Sequence, residues 1–205
     1  MNNMTFYFSV CDKLYEISRK HLPLVPFFNT LAKHHPNDGC SALDAIEIRP
    51  MEIIDDCSLL PKYNINTREM YDFLMKYIDI WKDNIAGAHY ITKPPQHLGF
   101  YYQILHESDL KAINEYLEPK LAVLNDKSEA FRKLYTVALI NQLLRFVNGY
   151  LNMKCLTNKL YAYCAVCIWE CSILEVEEMQ DNPFFKLLQT NDQELINDSM
   201  KQFFN

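Results

Sequence analysis

Thr5-Phe6-Tyr7-Phe8-Ser9-Val10, then Cys11-Asp12-Lys13, then Leu14-Tyr15-Glu16-Ile17-Ser18: this stretch decides the fold class. Two β-prone runs flank a three-residue turn. The second run alternates, with Leu14, Glu16 and Ser18 on one face and Tyr15 and Ile17 on the other. Such a pattern predicts a hairpin, so the chain is not purely helical. Ile46-Glu47-Ile48-Arg49, closed by Pro50, adds another alternating strand. Between them Pro23 and Pro26 break regularity. Val25, Phe27, Phe28 and Leu31 then recur at helical spacing to about Lys33, before the turn-rich 34–39 connector.

Further along, Asn66-Thr67-Arg68-Glu69 offers an N-cap with a glutamate three residues on. Met70, Phe73, Leu74, Tyr77, Ile78 and Trp81 follow as one apolar stripe, which predicts a helix. Residues 82–106 carry Gly87, Pro94, Pro95 and Gly99 and read as a long connection, though Tyr90, Phe100, Tyr101 and Tyr102 suggest that part of it packs down. From Ser108, a candidate cap, the pattern is helical. Pro119 interrupts it, 125–128 restarts it, and Leu134 to Val147 form a wide apolar face that Gly149 ends. The next helix, from about Met153 to Glu170, is apolar on both sides. Two amphipathic segments follow, 175–179 and 192–203. The expected class is α/β in the α+β sense: a small sheet with helices, then a helical extension. That extension has no sheet of its own and must dock on the first half or on another chain.

The 205 residues suffice for one domain with a dependent extension. With 49% hydrophobic and 22% charged residues a core can form. The net charge of −6 argues against a nucleic-acid binder held by phosphate contacts. No run approaches ~20 uncharged apolar residues, and Met1-Asn2-Asn3 lacks the basic flank of a signal peptide. The expectation is therefore a cytoplasmic or nuclear protein without membrane contact. Seven cysteines (11, 40, 57, 155, 164, 167 and 171) then read as reduced thiols. Four glycines (39, 87, 99 and 149) cannot build a phosphate-cradling loop.

Cys164, Cys167 and Cys171 form the motif closest to a metal site. On a straight helix they span a line of about 10 Å, whereas zinc draws its sulfurs to one point. Buried thiols are the better reading, and no metal or cofactor is expected. His34-His35 lies in a turn, and His89, His97 and His106 are too loosely spaced to define a site. Asp55-Asp56 and Glu177-Glu178 are adjacent pairs, which suits solvated faces more than acid–base work. No nucleophile elbow accompanies any cysteine, so the chain reads as a non-enzyme. What stands out is aromatic surplus in the last third: Tyr150, Tyr161, Tyr163, Trp169, Phe184, Phe185, Phe203 and Phe204. A partner helix in an apolar groove would use it.

Phe146-Val147-Asn148-Gly149-Tyr150-Leu151-Asn152-Met153-Lys154-Cys155-Leu156 resembles a segment of the Skp family, the adaptors of Skp–cullin–F-box ubiquitin ligases, that reads Ala-Ala-Asn-Tyr-Leu-Asp-Ile-Lys-Gly-Leu. Tyr150, Leu151, Lys154 and Leu156 match outright. Residues 14–17, 60–64, 81–84, 173–185 and 190–203 follow the family in order. The resemblance implies a POZ (BTB)-type domain over 5–151 and an F-box-binding helical extension over 152–205. It implies a non-catalytic adaptor, monomeric alone or paired with its partner. Tyr150 is similar to the position facing the cullin, and Met153, Leu156, Ile168, Trp169, Phe184 and Phe185 fall where the F-box surface lies. Gly149 stands where the family has Asn, and the aromatic 82–106 connection replaces an acidic loop. The alternative reading is a self-associating POZ-type scaffold or a host-directed decoy without a ligase role.

Overall fold

The structure, a computed structural model, describes residues 5–53, 63–85 and 105–169. It is a mixed α+β chain, mainly helical with a small sheet. It divides into two compact units, each discontinuous in sequence: 1–52, 64–92 and 143–157 form the first, and 53–63, 93–142 and 158–205 the second. The expected 151/152 boundary falls inside the first unit.

In that unit β1 (Thr5–Val10) and β2 (Lys13–Ser18) pair antiparallel from Thr5↔Ser18 to Val10↔Lys13. The loop has two residues rather than three. Cys11 and Asp12 take φ 47° and 63°, the primed turn whose twist suits a hairpin. β3 (Ile46–Ile48) lies parallel to β1, giving the order β2-β1-β3. Alternation buries Phe6, Phe8 and Val10 from β1 and Tyr15 and Ile17 from β2. A 3-10 turn, Arg19–Leu24, leads into α1 (Pro26–His34), where Pro26 takes the first helical position. Two further strands, β4 (Met51–Ile53) and β5 (Tyr63–Ile65), pair with each other.

α2 (Arg68–Trp81) buries Met70, Tyr71, Phe73, Leu74, Tyr77 and Ile78. Its cap is Thr67, whose Oγ1 accepts from Met70 N at 3.4 Å. Asn66, the expected cap, instead turns through φ 62° and accepts the Tyr71 hydroxyl at 3.1 Å. Thr67→Ala should therefore lower stability by about 1 kcal/mol in a urea titration, and Asn at the same position should largely preserve it. The first turn of α2 also clamps the hairpin. Asp72 accepts from Lys13 Nζ at 2.5 Å and from the Tyr15 hydroxyl at 2.8 Å, while the Arg68 guanidinium donates to the Cys11 carbonyl. Burial first, and then the Asp72 carboxylate, push the Tyr15 phenol upward. Behind the sheet the rings close into one cluster: Phe8 lies 4.4 Å from Phe28 and 5.4 Å from Tyr71, and Tyr71 meets Phe146 edge-on at 5.1 Å.

The second unit contains α3 (Glu107–Leu121), a 3-10 turn (Ala122–Leu124) and parts of α4 (Glu129–Leu144) and α5 (Lys154–Trp169). His106, not Ser108, caps α3. Its Nδ1 accepts from Ser108 N, and Asp109 Oδ2 accepts from His106 N at 3.2 Å. Pro119 does not interrupt the helix; it sits in the last turn, where α3 tightens into the 3-10 segment. Asp109 also pairs with Lys159 Nζ at 2.7 Å, both side chains at 1–2% exposure. Tyr163 donates to Asn114 Oδ1 at 2.7 Å. The apolar face predicted for α4 is buried at Val137, Ala138, Ile140, Leu143 and Leu144. No helix among the described residues is long and apolar enough to cross a membrane. The segments expected at 175–179 and 192–203 lie outside the described residues, as do residues 86–104 of the 82–106 connection.

Candidate functional site

The segment that carries the resemblance forms an elbow in the first unit. α4 passes directly into a π-helical turn, Arg145–Tyr150, in which Leu151 N donates to Phe146 O at 3.0 Å. Gly149 was expected to end this helix and does not. Its φ is not positive, and it sits within the π turn with open space where a side chain would be. The reversal falls at Asn152, φ 55°, the one residue type besides glycine that readily turns left-handed here. Met153 N then reaches back to Val147 O at 3.0 Å, and the first backbone bond of α5 runs from Thr157 N to Met153 O at 2.9 Å.

Two contacts seat the elbow on α1. The Leu151 carbonyl accepts from Phe27 N at 3.3 Å, serving one of the amides that a helix start leaves unpaired. Val25, the N-cap, makes no side-chain cap of its own. The Tyr150 ring packs 4.6 Å from Phe27 and stacks at 6.4 Å on Phe146. Burial pushes the Tyr150 phenol up, and the neighbouring Asn66 and Tyr71 side chains oppose the shift.

Between elbow and helix start lies an open cleft of about 240 Å³. Leu24, Pro26 and Tyr77 form one wall and Asn152, Met153, Lys154 and Cys155 the other. It is smaller than typical ligand pockets, which start near roughly 300 Å³, and it suits one or two inserted side chains. The wall is apolar apart from Asn152 and Lys154, whose side chains are exposed. Cys155 is a half-buried free thiol.

Of the residues expected to bind a partner, Met153 lines this cleft, and Tyr150 lies in the π turn, packed on Phe27. Tyr150 is half-buried, and Met153 is only 3% exposed. Leu156 does not join them. At 1% exposure it is core, on the face of α5 that also buries Leu160. Ile168 and Trp169 stand in the last turn of α5, with side chains outside the described set, and Phe184 and Phe185 lie outside the described residues. Sequence reasoning missed Leu24, Pro26, Tyr77, Asn152, Lys154 and Cys155. Tyr77 was legible only as part of a core stripe, and Pro26 only as a helix breaker.

Cys164 is buried and Cys167 half-buried, neither in a disulfide; Cys171 lies outside the described residues. Among the described residues no three His, Cys, Asp or Glu side chains converge as a metal site. No family model matches this chain, nor does any curated protein or solved structure.

Proposed function

We propose that the chain is a non-catalytic protein–protein adaptor with a POZ (BTB)-type core. In this reading it receives an F-box-type helical partner at the elbow and works in the cytoplasm or nucleus. The observation that carries it is coincidence of place: the segment resembling the Skp family, 146–156, is the one that builds half of the apolar cleft. The three-stranded sheet β2-β1-β3 and its hairpin clamp support a POZ-type core. An apolar anchor on the partner helix would enter between Leu24 and Met153, and an acidic side chain beside it would meet Lys154. The half-buried Tyr150 and the exposed Asn148 and Gly149 beside it form the face assigned to a cullin.

The test is calorimetric titration of the purified chain with an F-box helix bundle and, separately, with a cullin N-terminal region. Cys155→Trp fills the cleft. It should weaken the F-box interaction at least about tenfold, or about 1.4 kcal/mol, with the melting temperature little changed. Lys154→Glu should weaken it in a salt-dependent way. Binding of neither protein at tens of micromolar overturns the ligase reading. A dimer by light scattering in that case identifies the self-associating scaffold.

A further inference from the structure

We infer that His21 is an acid-release latch: protonation of its buried imidazole frees the Arg19–Leu24 turn and withdraws Leu24 from the cleft wall. His21 is only 8% exposed, and its Nε2 is shut off from solvent with no hydrogen-bond partner. A neutral ring tolerates one unpaired nitrogen. An imidazolium carries two donors and a charge, and a buried ring nitrogen without an acceptor disfavours it. The nearby charges add to this. Lys20 on the same turn repels a charged ring; past the end of α2, Asp83 attracts it more strongly than Lys82 repels it. β2 and α1 also pack against the turn; of their titratable groups, Lys13, Glu16, Lys33 and His34 are exposed, and the buried Tyr15 donates to Asp72. Arg19 is directed away, donating to Cys40 Sγ at 3.3 Å.

The turn itself is a weak element. A 3-10 helix of six residues has poor hydrogen-bond geometry, and its N-cap Ser18 makes no side-chain cap bond. It is held closed by burial of Leu22 and Leu24, at 4% and 3% exposure, on either side of exposed Pro23. Leu24 is the residue through which this turn reaches the cleft.

The direction follows from burial, with Lys20 adding to it: the folded imidazole binds its proton less readily than a free one. The closed turn therefore keeps its full stability above about pH 6.5, the free histidine value, and loses it as pH falls toward the lowered folded value. This opening does not depend on the docking reading, although it would weaken any partner seated on Leu24.

Hydrogen exchange of the full chain at pH 7.5 and 5.5, corrected for intrinsic rates, tests the latch. The amides of Leu22, Leu24 and Val25 should lose protection by up to about tenfold in acid while those of 70–78 in α2 keep theirs. In His21→Gln, which cannot titrate, the turn should be indifferent to pH. Unchanged protection in the wild type, or an equal loss in His21→Gln, overturns the proposal. Should the variant not fold, the NMR titration of the His21 ring in the wild type decides. A midpoint below the free histidine value of about 6.5, coinciding with the loss of turn protection, supports the latch. An ordinary midpoint with an unmoved turn refutes it.

Discussion

Lys159→Met costs about 3–5 kcal/mol of folding free energy, the largest loss expected from any single polar substitution in this chain. Lys159 and Asp109 meet at 2.7 Å with side chains at 2% and 1% exposure, so removing the cation strands a carboxylate away from water. The hydrogen bond that the carboxylate accepts from His106 N at 3.2 Å remains, but it does not neutralise the charge. The pair as a whole is a different matter. Desolvating two ions offsets most of their attraction, so Asp109→Leu/Lys159→Met should recover most of the loss. Because Asp109 closes the capping box of α3, the double variant should still lack about 1 kcal/mol. Urea titrations of both singles and the double measure the coupling directly. A single-variant loss below about 1 kcal/mol would show that the pair is solvated in practice.

A sequence-level signal for this pair existed. Lys154 and Lys159 are the only charged residues between 154 and 169, and a lysine within an apolar helix seldom goes unpaired. What the sequence withheld was the partner, fifty residues upstream, because a contact between helices leaves no local period. The same contrast runs through the fold. The hairpin was readable because Phe6, Phe8 and Val10 alternate against Tyr15 and Ile17, a period that only a sheet edge exploits. Its turn was read one residue too long because Cys11-Asp12 takes a conformation usually signalled by Asn-Gly. The α2 stripe was readable, but its cap shifted from Asn66 to Thr67 once the Tyr71 hydroxyl claimed the Asn66 side chain.

The candidate site was half legible for a related reason. Within the 146–156 segment, Met153 lines the cleft and Tyr150 packs on Phe27. The π turn has no sequence period of its own, so the reversal was assigned to Gly149 when Asn152 makes it. The helix still begins within a residue of the expected Met153, and in it Leu156 enters the core while Cys155 faces the cleft. The opposite wall, Leu24, Pro26 and Tyr77, comes from two other elements and could be assembled only in three dimensions.

Gly39→Ala should lower stability by about 3 kcal/mol, and Gly39→Asn by nearly as much. The comparison separates two causes. Gly39 sits at φ +64°, where alanine is strained but asparagine is at home. Were backbone conformation the whole cost, asparagine would restore most of the stability. A Cβ here, however, would stand 2.7 Å from the Tyr7 carbonyl oxygen and 3.0 Å from the Phe6 ring. Neither neighbour can yield easily. Tyr7 is in the central strand and donates its own amide to Gly39 O at 2.9 Å, and Phe6 is fully buried, 5.7 Å from Phe28. Any side chain at 39 therefore pries the 34–44 loop from β1, whatever its preferred φ. Gly149→Ala is the control. With no positive φ and nothing within 4 Å of the new methyl, it should be neutral or stabilising by up to about 1 kcal/mol. Thermal melts of the three variants decide: an asparagine variant near wild-type stability removes the close approach from the argument, and a destabilised Gly149→Ala returns the role of helix breaker to that glycine.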